Sequence, residues 1–172
     1  KSISINKYQF SDLLNLLNGV FNPLKNFVNK KEFNEILYYK KINNVFFTFP
    51  IFFGVNEKTY KMIKHENSIN LYYKKKYLIN IHKIIFFEID KNKFLNKLYG
   101  RQYRKHPYYK KFINENYKFL SFKFRKPSKK NLKHKFFVSP SDFKTKFNNK
   151  KHLNLASFHT RNVPHSAHQW IH

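Results

Sequence analysis

Apolar positions recur at helical spacing near the N-terminus, where Leu13, Leu14, Leu16 and Leu17 alternate with polar residues. This predicts a short helix over 11–19, with Ser11 or Asp12 as its N-cap and Gly19 just past its end. Phe33, Ile36 and Leu37 fall at i, i+3 and i+4, predicting an amphipathic helix over 29–41 capped by Asn29. The stretch 46–55 predicts a strand pair or one bent strand broken at Pro50, with Phe46, Phe47, Phe49, Phe52 and Phe53 in the core. Stretches 69–73 and 77–89 are rich in β-branched and aromatic residues, and Lys74-Lys75-Lys76 would form the turn between them. A helix is predicted over 91–99, ending at Gly100, and His106-Pro107 opens a helical turn through Phe112. A strand follows over 117–124. Ser139-Pro140-Ser141-Asp142 starts a helix with Phe143 and Phe147 at i, i+4. A buried strand over 153–158 leads to an HxxH turn and a helix carrying Trp170. Short helices interleave with short strands without regular βαβ spacing, so the predicted class is α+β with a compact β-barrel.

The chain of 172 residues is long enough for one domain with a real core, and 20% of it is aromatic. It contains no cysteine, which excludes disulfides and thiolate metal sites. The longest apolar stretches, 45–55 and 77–89, fall short of the ~20 residues of a membrane span. No signal peptide is visible, and the opening Lys1 is compatible with a presequence removed.

Charge changes the picture most. Lys and Arg number 35 against 9 Asp and Glu, a formal net charge of +26. AT-rich codons alone could raise Lys, but they do not explain the scarcity of acids. Self-repulsion on this scale disfavours a free homo-oligomer and calls for a polyanionic partner, nucleic acid first. Residues 1–90 carry 14 basic and 7 acidic side chains, whereas residues 91–172 carry 21 and 2. The electrostatic footprint therefore lies in the second half, where basic residues alternate with aromatics. Candidate RNA contacts there are Arg101, Tyr103, Arg104, Lys105, Tyr108, Lys110 and Lys111, followed by Arg125, Lys126, Lys129, Lys130, Lys133 and Lys135 of a basic linker over 125–135. Lys74, Lys75 and Lys76 join the candidates, although such lysine runs also serve as plain solvated turns. His165 and His168 lack a third ligand type nearby, so no metal site is expected.

Several segments carry a family resemblance. Asp12–Asn29 resembles a D-hydrophobic-nGxfsPLxgFm stretch of ATP sulfurylases, and Phe49-Pro50-Ile51 resembles their fPiPi strand. Tyr99-Gly100-Arg101-Gln102-Tyr103-Arg104-Lys105-His106-Pro107 is similar to yGtxDxxHP, and Ser139–Phe143 to the tPxelR helix. Thr160-Arg161-Asn162 followed by His165 and His168 is similar to the family's QTRNPxHxAH segment. The resemblance implies a PUA-like β-barrel domain with short helices over 1–135. Residues 136–172 would be the first strand and turn of a nucleotidyltransferase-like α/β domain. It implies that Arg161 holds sulfate through a fork of donors, and that His165 and His168 meet ATP phosphates at a helix start. The departures bear on chemistry. His159 stands where the family has Gln, Val163 follows Asn162 in place of Pro, and Ser166 replaces a basic residue. The GRDHAG-type nucleotide loop, which the family places downstream, does not occur before His172. A phosphoryl transition state needs charge stabilisation from both sides, and one wall of the pocket does not supply it.

The expectation is therefore a non-enzymatic, cofactor-free RNA-binding component of a large ribonucleoprotein. A mitochondrial ribosomal protein derived from ATP sulfurylase fits best, with rRNA and neighbouring ribosomal proteins as partners and no membrane span. Thr160, Arg161, Asn162, His165 and His168 would then be relics of the catalytic site; Arg161 could equally contact RNA phosphate. The alternative is part of a working ATP sulfurylase, making adenylyl sulfate and pyrophosphate, with the rest of the active site on another segment or chain.

Overall fold

Asparagine caps open the first three helices, each satisfying backbone N–H groups that a helix start leaves unpaired. The computed structural model describes residues 1–114, 118–124, 139–147 and 166. Helix α1 spans Lys7–Asn18. It starts earlier than the leucine pattern predicts, because Asn6 is the cap in place of Ser11 or Asp12. The Asn6 side chain accepts from the N–H of Tyr8 and of Gln9 at 2.9 Å each, and the Gln9 side chain returns a bond to the Asn6 N–H. Gly19 ends the helix at φ 75°, where its N–H reaches Asn15 and Leu16 carbonyls. Helix α2, Lys30–Tyr39, opens at the predicted cap Asn29 and repeats the device, with Glu32 as the returning side chain. Helix α3, Glu57–Ile63, capped by Asn56, and strand β1, Ser2–Ser4, had no counterpart in the hydrophobic pattern.

The remaining elements follow the predicted order, apart from a strand over Lys41–Ile42 and a 3-10 turn over Tyr103–Lys105 that the sequence pattern did not announce. Strands β2 (Lys41–Ile42) and β3 (Val45–Phe46) form a small hairpin of their own. Strand β4 is Phe53–Val55, β5 is Ser68–Tyr73, β6 is Lys76–Phe87 and β7 is Lys118–Phe124. Helices α4 (Lys91–Tyr99) and α5 (Tyr108–Asn114) flank a 3-10 turn over Tyr103–Lys105. Helix α6 is Pro140–Phe147, where the Ser139 hydroxyl accepts from the Asp142 N–H at 3.1 Å.

Five strands form one curled mixed sheet in the order β1-β5-β6-β7-β4, parallel only between β1 and β5. This is a half-barrel, since its edges β1 and β4 face each other without pairing. Among the described residues, Gln9 Nε2 donating to the Gly54 carbonyl at 2.7 Å bridges toward the β4 edge, beside an open cavity of about 400 Å³ lined by both edge strands. The stretch predicted as a strand pair or one bent strand is two strands separated at buried Pro50, as the first alternative has it, but they do not pair with each other: β3 lies in the hairpin and β4 in the main sheet. Two of the five core phenylalanines are corrected accordingly. Phe46 is 76% exposed on the hairpin and Phe49 is 38% exposed, whereas Phe53 is fully buried and Phe47 and Phe52 pack half-buried against the core. A hairpin with two residues per strand is too short to lay both faces on the body.

Inside the curl, Phe27, Phe53 and Phe122 meet at centroid distances of 5.1–5.4 Å. A second aromatic group, Phe33, Phe52, Phe94, Phe112 and Phe119, ties helices α2, α4 and α5 to the sheet. Tilted and edge-on ring pairs of this kind add to the area they bury.

Half-buried Asp12 on α1 is less well placed. Burial raises its carboxyl pKa above the ordinary 3.8, so the fold favours the protonated form. The native state then holds more protons than the unfolded one, and stability falls as pH rises from the ordinary aspartate value through the raised one. Asp12→Asn is expected to raise the urea midpoint at neutral pH and to leave it unchanged below the ordinary value. Equal gains at both pH values would show that Asp12 acts through something other than its charge.

Candidate nucleic-acid interface

Residues 91–114 contain eight basic and no acidic side chains. Their backbone is held from beneath. Phe94 and Leu95 of α4 and Phe112 of α5 are at most 1% exposed, so each helix turns an apolar stripe inward, leaving Lys93, Lys97, Lys110 and Lys111 exposed. Asp90 caps α4 through the Lys93 N–H at 3.0 Å. Gly100 ends it at φ 75°, ψ −167°, a conformation that essentially only glycine adopts. Lys91 Nζ donates to the Ile113 carbonyl at 3.3 Å and links the two helices.

The aromatic residues of this segment are half-buried and pack on one another. Tyr99 stacks on His106 with centroids 3.8 Å apart. Tyr103 meets Tyr109 edge-on at 5.6 Å, and Tyr108 stacks on Phe112 at 5.4 Å. Tyr103 donates its hydroxyl proton to Asn92 Oδ1 at 3.3 Å and accepts from Arg104 Nε at 3.4 Å. That contact raises the Arg104 pKa further, so its charge is permanent. The structure thus brings Arg101, Tyr103, Arg104, Lys105, Tyr108, Lys110 and Lys111 together on one segment, with the five cations exposed.

Sequence reasoning missed Lys93 and Lys97. They stand at i, i+4 on α4, and both place their ammonium groups over the Tyr38 ring of α2, at 5.4 and 5.6 Å from its centroid. The spacing on α4 was readable; the tyrosine beneath it comes from a different part of the chain. The Tyr38 hydroxyl also raises the Lys93 pKa. Elsewhere, Lys118 pairs with Glu88, and Lys30 reaches the Glu88 carbonyl. The Lys118 bond holds the Glu88 carboxyl below its usual range. Among the described residues, no carboxylate lies within ion-pair reach of Lys93, Lys97, Arg101, Arg104, Lys105, Lys110 or Lys111.

Lys74, Lys75 and Lys76 lie apart from this set, at the tip of the β5–β6 hairpin. Lys74 sits 5.6 Å above Tyr73, which stacks on Phe10 of α1. Lys111 sits 5.7 Å above Tyr8, two residues earlier on α1 and so on the opposite side of that helix. Lys74 and Lys75 adopt φ 48° and 65°, a left-handed turn that Asn-Gly fills with less strain. Replacing Lys74-Lys75 by Asn-Gly is expected to stabilise the fold by about 1 kcal/mol in urea titration. A loss of stability would mean that the two lysines make contacts that offset their strain.

Arg125, Lys126, Lys129, Lys130, Lys133 and Lys135 lie outside the described residues, as do Thr160, Arg161, Asn162, His165, His168 and the predicted strand over 153–158. Among the described residues, no group of three His, Asp or Glu could hold a metal ion, and no helix is long and apolar enough to cross a membrane.

The PUA-like domain family matches residues 1–121. The chain is also similar to sulfate adenylyltransferases. The enzyme of Ignicoccus hospitalis is 24% identical over 172 residues, covering 99% of this chain and 45% of the relative. That of Staphylothermus marinus is 25% identical over 173 residues, and that of Thermococcus onnurineus 24% over 172, with the same coverage. The chain thus spans less than half the length of these curated relatives, and it resembles their N-terminal part.

Proposed function

Because the chain belongs to the PUA-like domain family, we propose that this PUA-like domain serves as a non-enzymatic RNA-binding component of a large ribonucleoprotein. The assembly in this reading is the mitochondrial ribosome, with rRNA and neighbouring ribosomal proteins as partners. The observation that carries it is the charge. A net +26 is concentrated in the second half of the chain, and exposed cations on α4, the 3-10 turn and α5 have no carboxylate partners among the described residues. Such a face would neutralise phosphates and release the counterions condensed on the RNA. Binding would run through phosphates and shape, with little base readout. In this reading Thr160, Arg161, Asn162, His165 and His168 descend from a nucleotide site without performing its reaction.

The test is sedimentation of the tagged native protein in mitochondrial lysate, with and without RNase. Co-migration with a ribosomal particle that RNase abolishes is the expected result. A small, RNase-insensitive species would sink the proposal.

Similarity along 99% of the chain to sulfate adenylyltransferases favours a second reading, in which this segment belongs to a working enzyme whose remaining site lies on another segment or chain. Sulfate-dependent exchange of pyrophosphate into ATP by the purified native material would establish it. On that reading, charge-neutralising changes on α4 and α5 would leave the exchange rate intact.

A further inference from the structure

Basic and aromatic residues interleaved along a chain suggest rings free to stack on unpaired bases. The structure arranges them differently. Among the described residues, exposed Tyr8 carries Lys111 over its ring at 5.7 Å, and Tyr38 carries both Lys93 and Lys97. Tyr103 carries Arg104 at 5.8 Å and also packs its edge on Tyr109. Tyr99 and Tyr108 spend a face on His106 and Phe112. On the faces these contacts cover, a base would have to displace one of the chain's own cations or open the packing beneath.

The same contacts give the cations fixed positions. Lysine side chains are ordinarily mobile, and ordering them on binding costs conformational entropy. Resting on a ring, Lys93 and Lys97 stand one helical turn apart, ~6 Å along α4, with part of that cost already met. Arg104 is oriented through its Nε bond to the Tyr103 hydroxyl. What the surface offers outward is a set of positioned N–H donors of one sign on a rigid α4–α5 frame. That suits a regular array of phosphates, and a double helix supplies one where a flexible single strand does not.

We infer that the face formed by α4, the 3-10 turn and α5, with Tyr8 and Tyr38 at its margins, binds the phosphate backbone of double-helical RNA, its rings holding the chain's own cations instead of stacking on bases. The inference rests on the RNA-binding reading above and narrows its partner to duplex regions.

The experiment compares binding of the full chain to a short RNA duplex and to an unstructured single strand of equal length, by fluorescence anisotropy across a salt series. The duplex is expected to bind about tenfold or more tightly at physiological salt. Lys93→Gln with Lys97→Gln should make the log-affinity slope against log salt shallower by roughly 1.5 for the duplex. Tyr38→Leu, which keeps both lysines but removes their platform, should weaken duplex binding about two- to fivefold and leave the single strand unchanged. Tyr38→Phe retains the ring and should restore duplex binding; circular dichroism confirms that each variant is folded. Tighter binding of the single strand, with a loss of about tenfold or more in Tyr38→Leu and Tyr103→Leu, would overturn the inference and leave RNA binding itself standing. Salt-insensitive or undetectable binding of both RNAs would overturn the inference together with the reading it rests on.

Discussion

Phe94→Ala is expected to destabilise the fold by about 3–5 kcal/mol, read as a fall in the urea midpoint. Phe94 is fully buried on α4, and its ring touches four others: Phe33 and Phe112 at 5.4 Å, Phe52 at 5.8 Å and Phe49 at 6.2 Å. Truncation removes the transfer energy of the ring and leaves a cavity that rigid aromatic neighbours fill poorly. Single domains are stable by only about 5–15 kcal/mol, and the self-repulsion of +26 charges lowers this at low ionic strength. The variant should therefore be partly unfolded in dilute buffer and recover in added salt. Phe94→Leu keeps most of the volume and should cost less, about 1–2 kcal/mol. A loss under about 1 kcal/mol for the alanine variant would mean that α4 is not anchored through this ring.

If the proposed RNA-binding role holds, replacing Arg101, Arg104, Lys105 and Lys110 together by glutamine is expected to lower RNA affinity by roughly 10²–10³-fold at physiological salt. Each phosphate contact contributes a slope of about 0.7–0.9 in log affinity against log salt, so losing four should flatten the dependence by about 3. All four side chains are exposed and lack carboxylate partners among the described residues, so the core is untouched. Thermal stability should hold or rise as repulsion is relieved. Lys58, Lys61 and Lys64, on and just after α3, are equally exposed and provide the control. If replacing these three weakened binding as much per charge, the affinity would come from net charge alone and not from the α4–α5 face.

The parts of the fold legible in the sequence are those decided within one or two helical turns. Asn29, Gly19, Gly100 and Ser139 with Pro140 mark helix ends because the bonds made there span three or four residues. The Asn6 cap was missed although its partner Gln9 stands at the capping-box spacing, because the leucine pattern begins only at Leu13. Helix α3 was missed because seven residues offer too few apolar positions to show a period. Phe46 was misplaced because a run of phenylalanines reads as core, whereas the hairpin that carries it is too short to turn that ring inward.

By itself, then, the sequence determined the class, the helix ends, the aromatic supply of the core and the excess of positive charge with its bias to the second half. Each of these depends on composition or on neighbours along the chain. The parallel pairing of Ser2–Ser4 with β5, the open seam between β1 and β4, and the seating of Lys93 and Lys97 on Tyr38 depend on segments far apart in sequence. No local pattern encodes those meetings. They follow from burying the apolar faces of all the elements at once, and only that packing decides which rings lie free and which carry a cation.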